Sequence, residues 1–318
     1  MDKRKIVETM RKAGRLAANE VLEKYRNGTP FFHIEGGQIV TKSDIAADKR
    51  IFESLKLGFE NGIIPGFLYS SEERKKIERA GDPELLFLVD PIDQSERVAT
   101  GDLKCATSCI TALKILEELE DGYIGEPVAS LVNEIERGVE YIAFGDEARI
   151  VGEVKGKKLN FDTSLPRKIG GKFIGPNSSK TLGGENYIRG ASYRTKRRKG
   201  LYEFIEAPLQ SISSRVRIDN NGGSYFGANV GTGVFSFSME AKPTKPSEMA
   251  GDIFAKAMGA YVTDMFGNPL KKINVMYGEG DLKKTYYSLA SCTPELGKEI
   301  LETIDMESLQ RIYNYGVV

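Results

Sequence analysis

The chain has no tryptophan, one histidine and three cysteines among 318 residues. With His33 alone, a histidine-based zinc centre is excluded, and any Ser-His-Asp or Cys-His nucleophile would have to run through that one residue. Its setting, PFFHIEGG, favours a satisfied histidine beside a turn over a catalytic base. The cysteines form no C-x-x-C pair and are too sparse for a disulfide framework or a cysteine zinc site, so they read as reduced, small apolar side chains. Net charge is missing too: 45 Lys+Arg balance 45 Asp+Glu, which argues against nucleic-acid binding by bulk charge. No apolar run reaches the roughly 18 residues of a membrane span, and the opening MDKRKIVETM lacks the apolar core of a secretory signal. The expectation is a cytoplasmic protein with no membrane partner, and if it is an enzyme, carboxylates and hydroxyls must carry the chemistry.

What is present suits a folded chain of about two domains, with 40% apolar and 28% charged residues. Ile6, Val7, Met10, Ala13, Leu16, Ala17, Val21 and Leu22 recur at helical spacing and predict an amphipathic helix over 3–26, stopped by Asn27-Gly28. After a loop around His33, a second helix is expected over 44–58, with Asp44 near its start and Ile45, Ile51, Phe52 and Leu55 on one face. Apolar runs at 63–68 and 85–89 read as strands that deliver Ser70-Ser71-Glu72-Glu73 and Asp90-Pro91-Ile92-Asp93 at their ends. A strand is expected over 105–113 and paired strands over 128–144 around Glu136-Arg137-Gly138. The polar stretch 152–165 reads as a passage between an N-terminal α+β domain, 1–160, and a C-terminal α/β domain, 161–318. The second half alternates strands (172–175, 235–240, 260–263) with helices (202–210, 222–233, 248–258).

Asp90 and Asp93 flank a proline that stiffens the turn, and the carbonyl of Ile92 lies between them. Two carboxylates and a carbonyl suit hard cations such as Mg²⁺, although D-x-x-D alone is equally a solvated acidic turn. Around this core the sequence resembles the lithium-sensitive phosphatase superfamily of inositol monophosphatases, fructose-1,6-bisphosphatases and bisphosphate nucleotidases. The resemblance rests on an ordered set: IVTKSD ending in Asp44, SSEE at Glu72-Glu73, DPIDQS from Asp90 to Ser95, PSEMAG from Pro246 to Gly251, and MGAYVTDMFG from Met258 to Gly267. It spans nearly the whole chain, to YYSLASCTPELGKEIL near the C-terminus.

The resemblance implies an alternating five-layer αβαβα sandwich and Mg²⁺-dependent hydrolysis of a phosphate monoester of a small polyol, sugar or nucleotide. It implies two or three Mg²⁺ ions held by Glu72, Asp90, Asp93 and the backbone of Ile92. It further implies a water activated by Asp44 with Ser95, catalytic roles for Asp44, Ser95 and Glu72, and substrate contacts from Gln94, Ser95 and Glu240. A small phosphorylated metabolite and a homodimer are the partners it suggests.

Two departures stand out. Gln94 replaces the family glycine after D-P-I-D, adding a side chain where the backbone approaches phosphate. Pro246-Ser247 replaces the W-D pair, which removes one expected metal carboxylate; Glu248, one position on, is either its substitute or a solvent-facing acid in a helix's first turn. These departures keep open an alternative, a catalytically weakened relative that binds a metabolite, protein or RNA as a regulatory module. Lys196-Arg197-Arg198-Lys199, with Arg189 and Arg194, reads as a solvated loop or a clamp for a second phosphate. Tyr225 and Phe226 either line a substrate pocket or pack under the sheet.

Overall fold

Asp2 opens the first helix, α1 (Lys3–Arg26), by accepting from the amides of Arg4 and Lys5. Ile6, Met10, Ala13, Ala17 and Val21 form its buried stripe. Leu16, expected there, lies roughly a third of a turn off that stripe and is exposed. The second helix, α2 (Lys42–Glu60), starts at a capping box in which Thr41 and Asp44 exchange hydrogen bonds. Asp44 is thereby fixed in the first turn. Ile45 faces solvent, whereas Ile51 and Leu55 are buried as expected.

The computed structural model describes residues 1–28, 32–35, 38–100, 102–154, 157–162, 168–169, 172–173, 188–192, 202–213, 215–220, 223–278 and 281–313. The expected loop around His33 is a hairpin of β1 (Phe32–Glu35) and β2 (Gln38–Thr41). A large sheet follows from β3 (Phe67–Ser71), β4 (Glu78–Ala80), β5 (Leu85–Asp93), β6 (Thr107–Leu119), β7 (Gly122–Glu134), β8 (Glu140–Phe144), β9 (Glu147–Val154) and β10 (Lys157–Asp162). Its order is β10-β9-β8-β7-β6-β5-β3-β4, antiparallel except for the β3/β5 pair. The strand expected over 63–68 begins later because residues 61–64 form the turn that ends α2. The stretch 152–165, expected as a passage, is taken through Asp162 by the β9/β10 hairpin.

After a small hairpin of β11 (Lys168–Ile169) and β12 (Lys172–Phe173), a second sheet forms from β13 (Ile188–Ser192), β14 (Val216–Asn220), β15 (Phe237–Thr244), β16 (Tyr261–Thr263) and β19 (Tyr286–Ser291). Its order is β14-β13-β15-β19-β16. Between β16 and β19, β17 (Ile273–Gly278) returns to pair with the far end of β7, and β18 (Asp281–Leu282) pairs with β17. The large sheet thus draws strands from both halves of the sequence. The remaining helices are α3 (Ser95–Ala99), α4 (Ala207–Ile212), α5 (Ser224–Gly231), α6 (Ala250–Ala257), α7 (Pro294–Thr303) and α8 (Met306–Tyr313). The helix expected over 248–258 opens as a 3-10 turn, Pro246–Met249, so Glu248 precedes α6 rather than starting it.

The cores define the layers. Ile6, Met10, Ile51 and Leu55 of α1 and α2 pack on Phe67, Phe87 and Ile110 on one face of the large sheet. On its other face, Ala228, Ala250 and Phe254 of α5 and α6 meet Cys109, Val132 and Tyr141. The same two helices turn Phe226, Val230 and Ala255 toward Ala191, Val262 and Ala290 of the second sheet. Leu209, Leu296, Ile300 and Leu309 cover its far face against Phe237, Met239 and Leu289. The result is the expected αβαβα sandwich. Phe226 is buried in this packing, while Tyr225 is only partly buried. Among the described residues no helix is long and apolar enough to cross a membrane. The basic run 196–199 and Arg194 lie outside the described residues; Arg189 pairs with Asp219 at 2.6 Å.

Candidate active site

The capping box that starts α2 also prepares Asp44 for contact with a distant segment. Its Oδ2 accepts from the Thr41 amide at 2.6 Å and from the Thr41 hydroxyl, leaving Oδ1 for the Ser95 hydroxyl at 2.6 Å. Ser95 Oγ also lies 2.7 Å from the Ile92 carbonyl. The hydroxyl has one proton for these two acceptors. Burial pushes the Asp44 carboxyl up, against the hydrogen bonds from Ser95 and Thr41.

Ser95 is held there by the end of β5, where the ladder to β6 is broken between Asp90 and Asp93. Pro91, which has no N–H to give, sits in that irregularity. Alternation along β5 sends Phe87 and Val89 into the α1/α2 core and Leu86 and Leu88 to the opposite face, with Asp90 continuing on the latter side. Gln94 follows with φ +75°, the left-handed conformation that glycine adopts without strain, and its side-chain Nε2 donates to Asp93 Oδ1 at 3.2 Å. Glu72 lies one residue past β3, and its amide donates to the Val89 carbonyl, which puts it beside Asp90. The Ser247 hydroxyl donates to Glu72 Oε1 at 2.5 Å, so the residue standing in for the family acid is a neutral partner of a candidate metal ligand.

The second sheet supplies the rest. Phe237, Met239 and Ala241 of β15 face the outer helices, so Glu240 points toward α5. Its Oε1 accepts from the Gly223 amide at 2.6 Å, and the next amide, Ser224, donates to Asp93 Oδ2 at 2.9 Å. Gly223 has φ +93°, and a Cβ there would come within 2.3 Å of Asp93 Oδ2. Glu240 Oε2 is buried with no hydrogen-bond partner among the described residues. Ser224 Oγ donates to the Glu248 carbonyl at 2.7 Å, holding the 3-10 turn against α5.

Sequence reasoning did not assign roles to Gly223, Ser224, Glu73 or Asp252. Burial first, then Asp44, Glu72 and Asp48, push the Glu73 carboxyl up to about 8. Asp252 in α6 accepts from Tyr286 and Ser288 and is raised by burial. The paired glycines before α5 were a signal for the close approach at Gly223; Glu73 and Asp252 had no local signal.

The charges crowd one another. Asp90 is pushed up by burial and then by Glu72, Asp93, Glu248 and Asp44. Burial lifts Asp93 to about 7 despite the donors from Gln94 and Ser224, and Glu240 to about 7 despite Gly223. Glu248 is raised by burial and by Glu240, Glu72 and Asp93, with Lys242 opposing. Among the described residues no three His, Cys, Asp or Glu side chains are arranged to hold a metal ion as they stand, and Glu72 and Asp93 are engaged by internal donors. The chemistry of the set nonetheless fits a hard cation: all donors are oxygens, their charges repel, and Glu240 Oε2 lacks a partner among the described residues.

No protein-family model matches the chain, and no curated protein matches it. Solved structures do. The extragenic suppressor protein suhB of Bartonella henselae shares 17% identity, with a TM-score of 0.67 over 94% of this chain and 97% of its own. An IMPase of Thermotoga maritima shares 17%, with a TM-score of 0.63 over 95% and 96%. An inositol monophosphatase of Anabaena shares 16%, with a TM-score of 0.62 over 94% and 95%. With its five layers matched along nearly the whole length of these proteins, the chain has the fold of the inositol monophosphatases.

Proposed function

We propose that this chain is a Mg²⁺-dependent phosphatase acting on a phosphate monoester of a small polyol, sugar or nucleotide. The observation that carries the reading is the set of mutually repelling carboxylates Glu72, Asp90 and Asp93, with the Asp44–Ser95 contact beside it. Glu72, Asp90, Asp93 and the Ile92 carbonyl are the groups to hold two or three Mg²⁺ ions. Bound there, the cations would lower the pKa of a water and stabilise charge on the attacking and leaving oxygens. The chain's own part is orientation. Asp44 draws the Ser95 proton toward itself, which leaves the Ser95 lone pairs to accept a hydrogen from the attacking water and aim it. Gln94 and Ser95 border the phosphate, and Glu240 meets substrate hydroxyls. A cytoplasmic homodimer working on a phosphorylated metabolite completes the proposal.

A second reading has its own support: a weakened relative acting as a regulatory module that binds a metabolite, protein or RNA. Ser247 supplies no charge for a cation and occupies Glu72, and Gln94 holds a strained backbone where glycine would be relaxed. Phosphate release from inositol 1-phosphate, fructose 1,6-bisphosphate and 3′-phosphoadenosine 5′-phosphate, with Mg²⁺ titrated, separates the two. Turnover that needs Mg²⁺ and is lost in Asp90→Asn supports the phosphatase. Folded protein with no release from any of the three at any Mg²⁺ concentration supports the module.

A further inference from the structure

Residues 72–77 join β3 to β4, and Glu72 is the first of them. β4 is the outermost strand of the large sheet, and its ladder to β3 runs only over 67–69, away from this turn. Two main-chain bonds hold the start of the turn, from the Glu72 amide to the Val89 carbonyl and from the Arg74 amide to the Ser71 carbonyl, each at 3.2 Å.

A side chain ties the turn to the rest of the site. Arg74 Nε donates to Asp48 Oδ2 at 2.6 Å, and Nη1 donates to Glu78 Oε1 at 3.1 Å. The guanidinium carbon lies 4.5 Å from the centre of the Phe52 ring and 5.2 Å from that of Tyr69. A planar cation that pairs and stacks at once is what arginine offers and lysine does not. The Tyr69 hydroxyl donates to the other carboxylate oxygen, Asp48 Oδ1, at 2.6 Å. Asp48 is therefore buried with a donor on each oxygen, one from β3 and one from the turn.

Asp48 stands one helical turn beyond Asp44 on the same face of α2. The Asp48–Arg74 pair thus couples the helix that carries Asp44 to the turn that carries Glu72. It does so against a load, because the carboxylates of Asp44, Glu72 and Glu73 repel one another across the gap.

We infer that Arg74 and Asp48 are positioning residues for the candidate site. Their ion pair holds Glu72 in place relative to Asp44 before any cation arrives. The inference rests on the reading of Glu72 as a cation ligand.

Coulomb's law gives the test its sign. Arg74→Gln removes a positive charge near the carboxylates, which by itself would tighten cation binding; a positioning role requires the opposite. Mn²⁺ alone is titrated by calorimetry into the full, metal-free chain at a temperature where every variant is folded. Arg74→Gln should weaken Mn²⁺ binding by about tenfold or more. Arg74→Lys should restore part of the loss, because lysine can still pair with Asp48. Asp48→Asn should also weaken binding, and the two changes together should do little more than either alone, since both break one contact. Arg11→Gln is the structural control: it breaks another partly buried pair, Arg11 to Glu140 at 2.9 Å between α1 and β8, and should lower the melting temperature without changing Mn²⁺ affinity.

A second readout needs no cation. In EDTA, hydrogen exchange at the Glu72 and Arg74 amides should speed up by about tenfold or more in Arg74→Gln and stay as in the parent in Arg11→Gln. Unchanged or tighter Mn²⁺ binding in Arg74→Gln, or unchanged exchange at the two amides, would overturn the inference. A parent that binds no Mn²⁺, or binds it no better than Asp90→Asn does, would instead sink the cation reading of the carboxylates, and this inference with it.

Discussion

Replacing a candidate metal ligand should make the metal-free protein more stable. Asp93 is buried, and its carboxyl sits at about 7 against an ordinary 3.8. A group whose folded-state pKa is raised holds its proton longer in the folded than in the unfolded chain. Stability therefore falls as pH climbs from about 4 to about 7, and the whole cost is present above that window. Three pH units at about 1.4 kcal/mol each put that cost at roughly 4 kcal/mol. Asp93→Asn removes the charge and keeps a carbonyl to accept from Ser224, though a neutral acceptor gives up about 1 kcal/mol of that bond. The variant should thus be more stable by roughly 3 kcal/mol at pH 8 in EDTA, measured by urea unfolding with linear extrapolation. The gap should close by pH 4. Millimolar Mg²⁺ should stabilise the parent more than the variant, because only binding to the folded state counts. A variant less stable than the parent at pH 8, or a gap that does not change with pH, would refute the reasoning.

Two further substitutions probe the departures from the family pattern. Gln94→Gly relieves a left-handed backbone worth about 1–2 kcal/mol, offset by glycine's greater freedom when unfolded and the lost contact to Asp93; a net gain below about 1 kcal/mol in urea midpoints is expected, and clear destabilisation would contradict the strain. Ser247→Asp puts a carboxylate where the hydroxyl touches Glu72, so it should lower the melting temperature in EDTA and tighten Mn²⁺ binding by calorimetry. Unchanged Mn²⁺ affinity would show that position 247 does not face the cation.

Local patterning made the strong elements readable. The stripe of α1, the apolar run into Asp90 and the stop at Asn27-Gly28 each carry their own signal, and Asp44 marked the start of α2 to within two residues, while the cap at Thr41 went unread. Elements defined by a distant partner were not readable. β17 is a strand because the far end of β7 lies beside it, and β9 and β10 extend a sheet whose edge a linear reading does not see. Ile45 and Leu16 are apolar residues that the tertiary arrangement leaves in solvent. The same distinction runs through the candidate site. Asp90 and Asp93 were marked by the ordered motifs around them, whereas the raised carboxyl of Glu73 comes from burial first and then from Asp44, Glu72 and Asp48, of which α2 brings two from elsewhere in the chain. Gln94 was visible as a missing glycine, but its positive φ belongs to the folded backbone.

The two consecutive amides at the start of α5 bind carboxylates from different sheets, Gly223 to Glu240 and Ser224 to Asp93. Sliding one sheet past the other by even a fraction of a residue would strain both bonds, since a peptide unit sets the separation of the two donors. The helix start works as a fixed gauge between the layers. Neither half of the site can take shape before the sheets have docked, and the two amide protons should exchange with solvent together, through the same opening event. The protein's candidate chemistry is in this sense a property of the joint between its layers rather than of either layer.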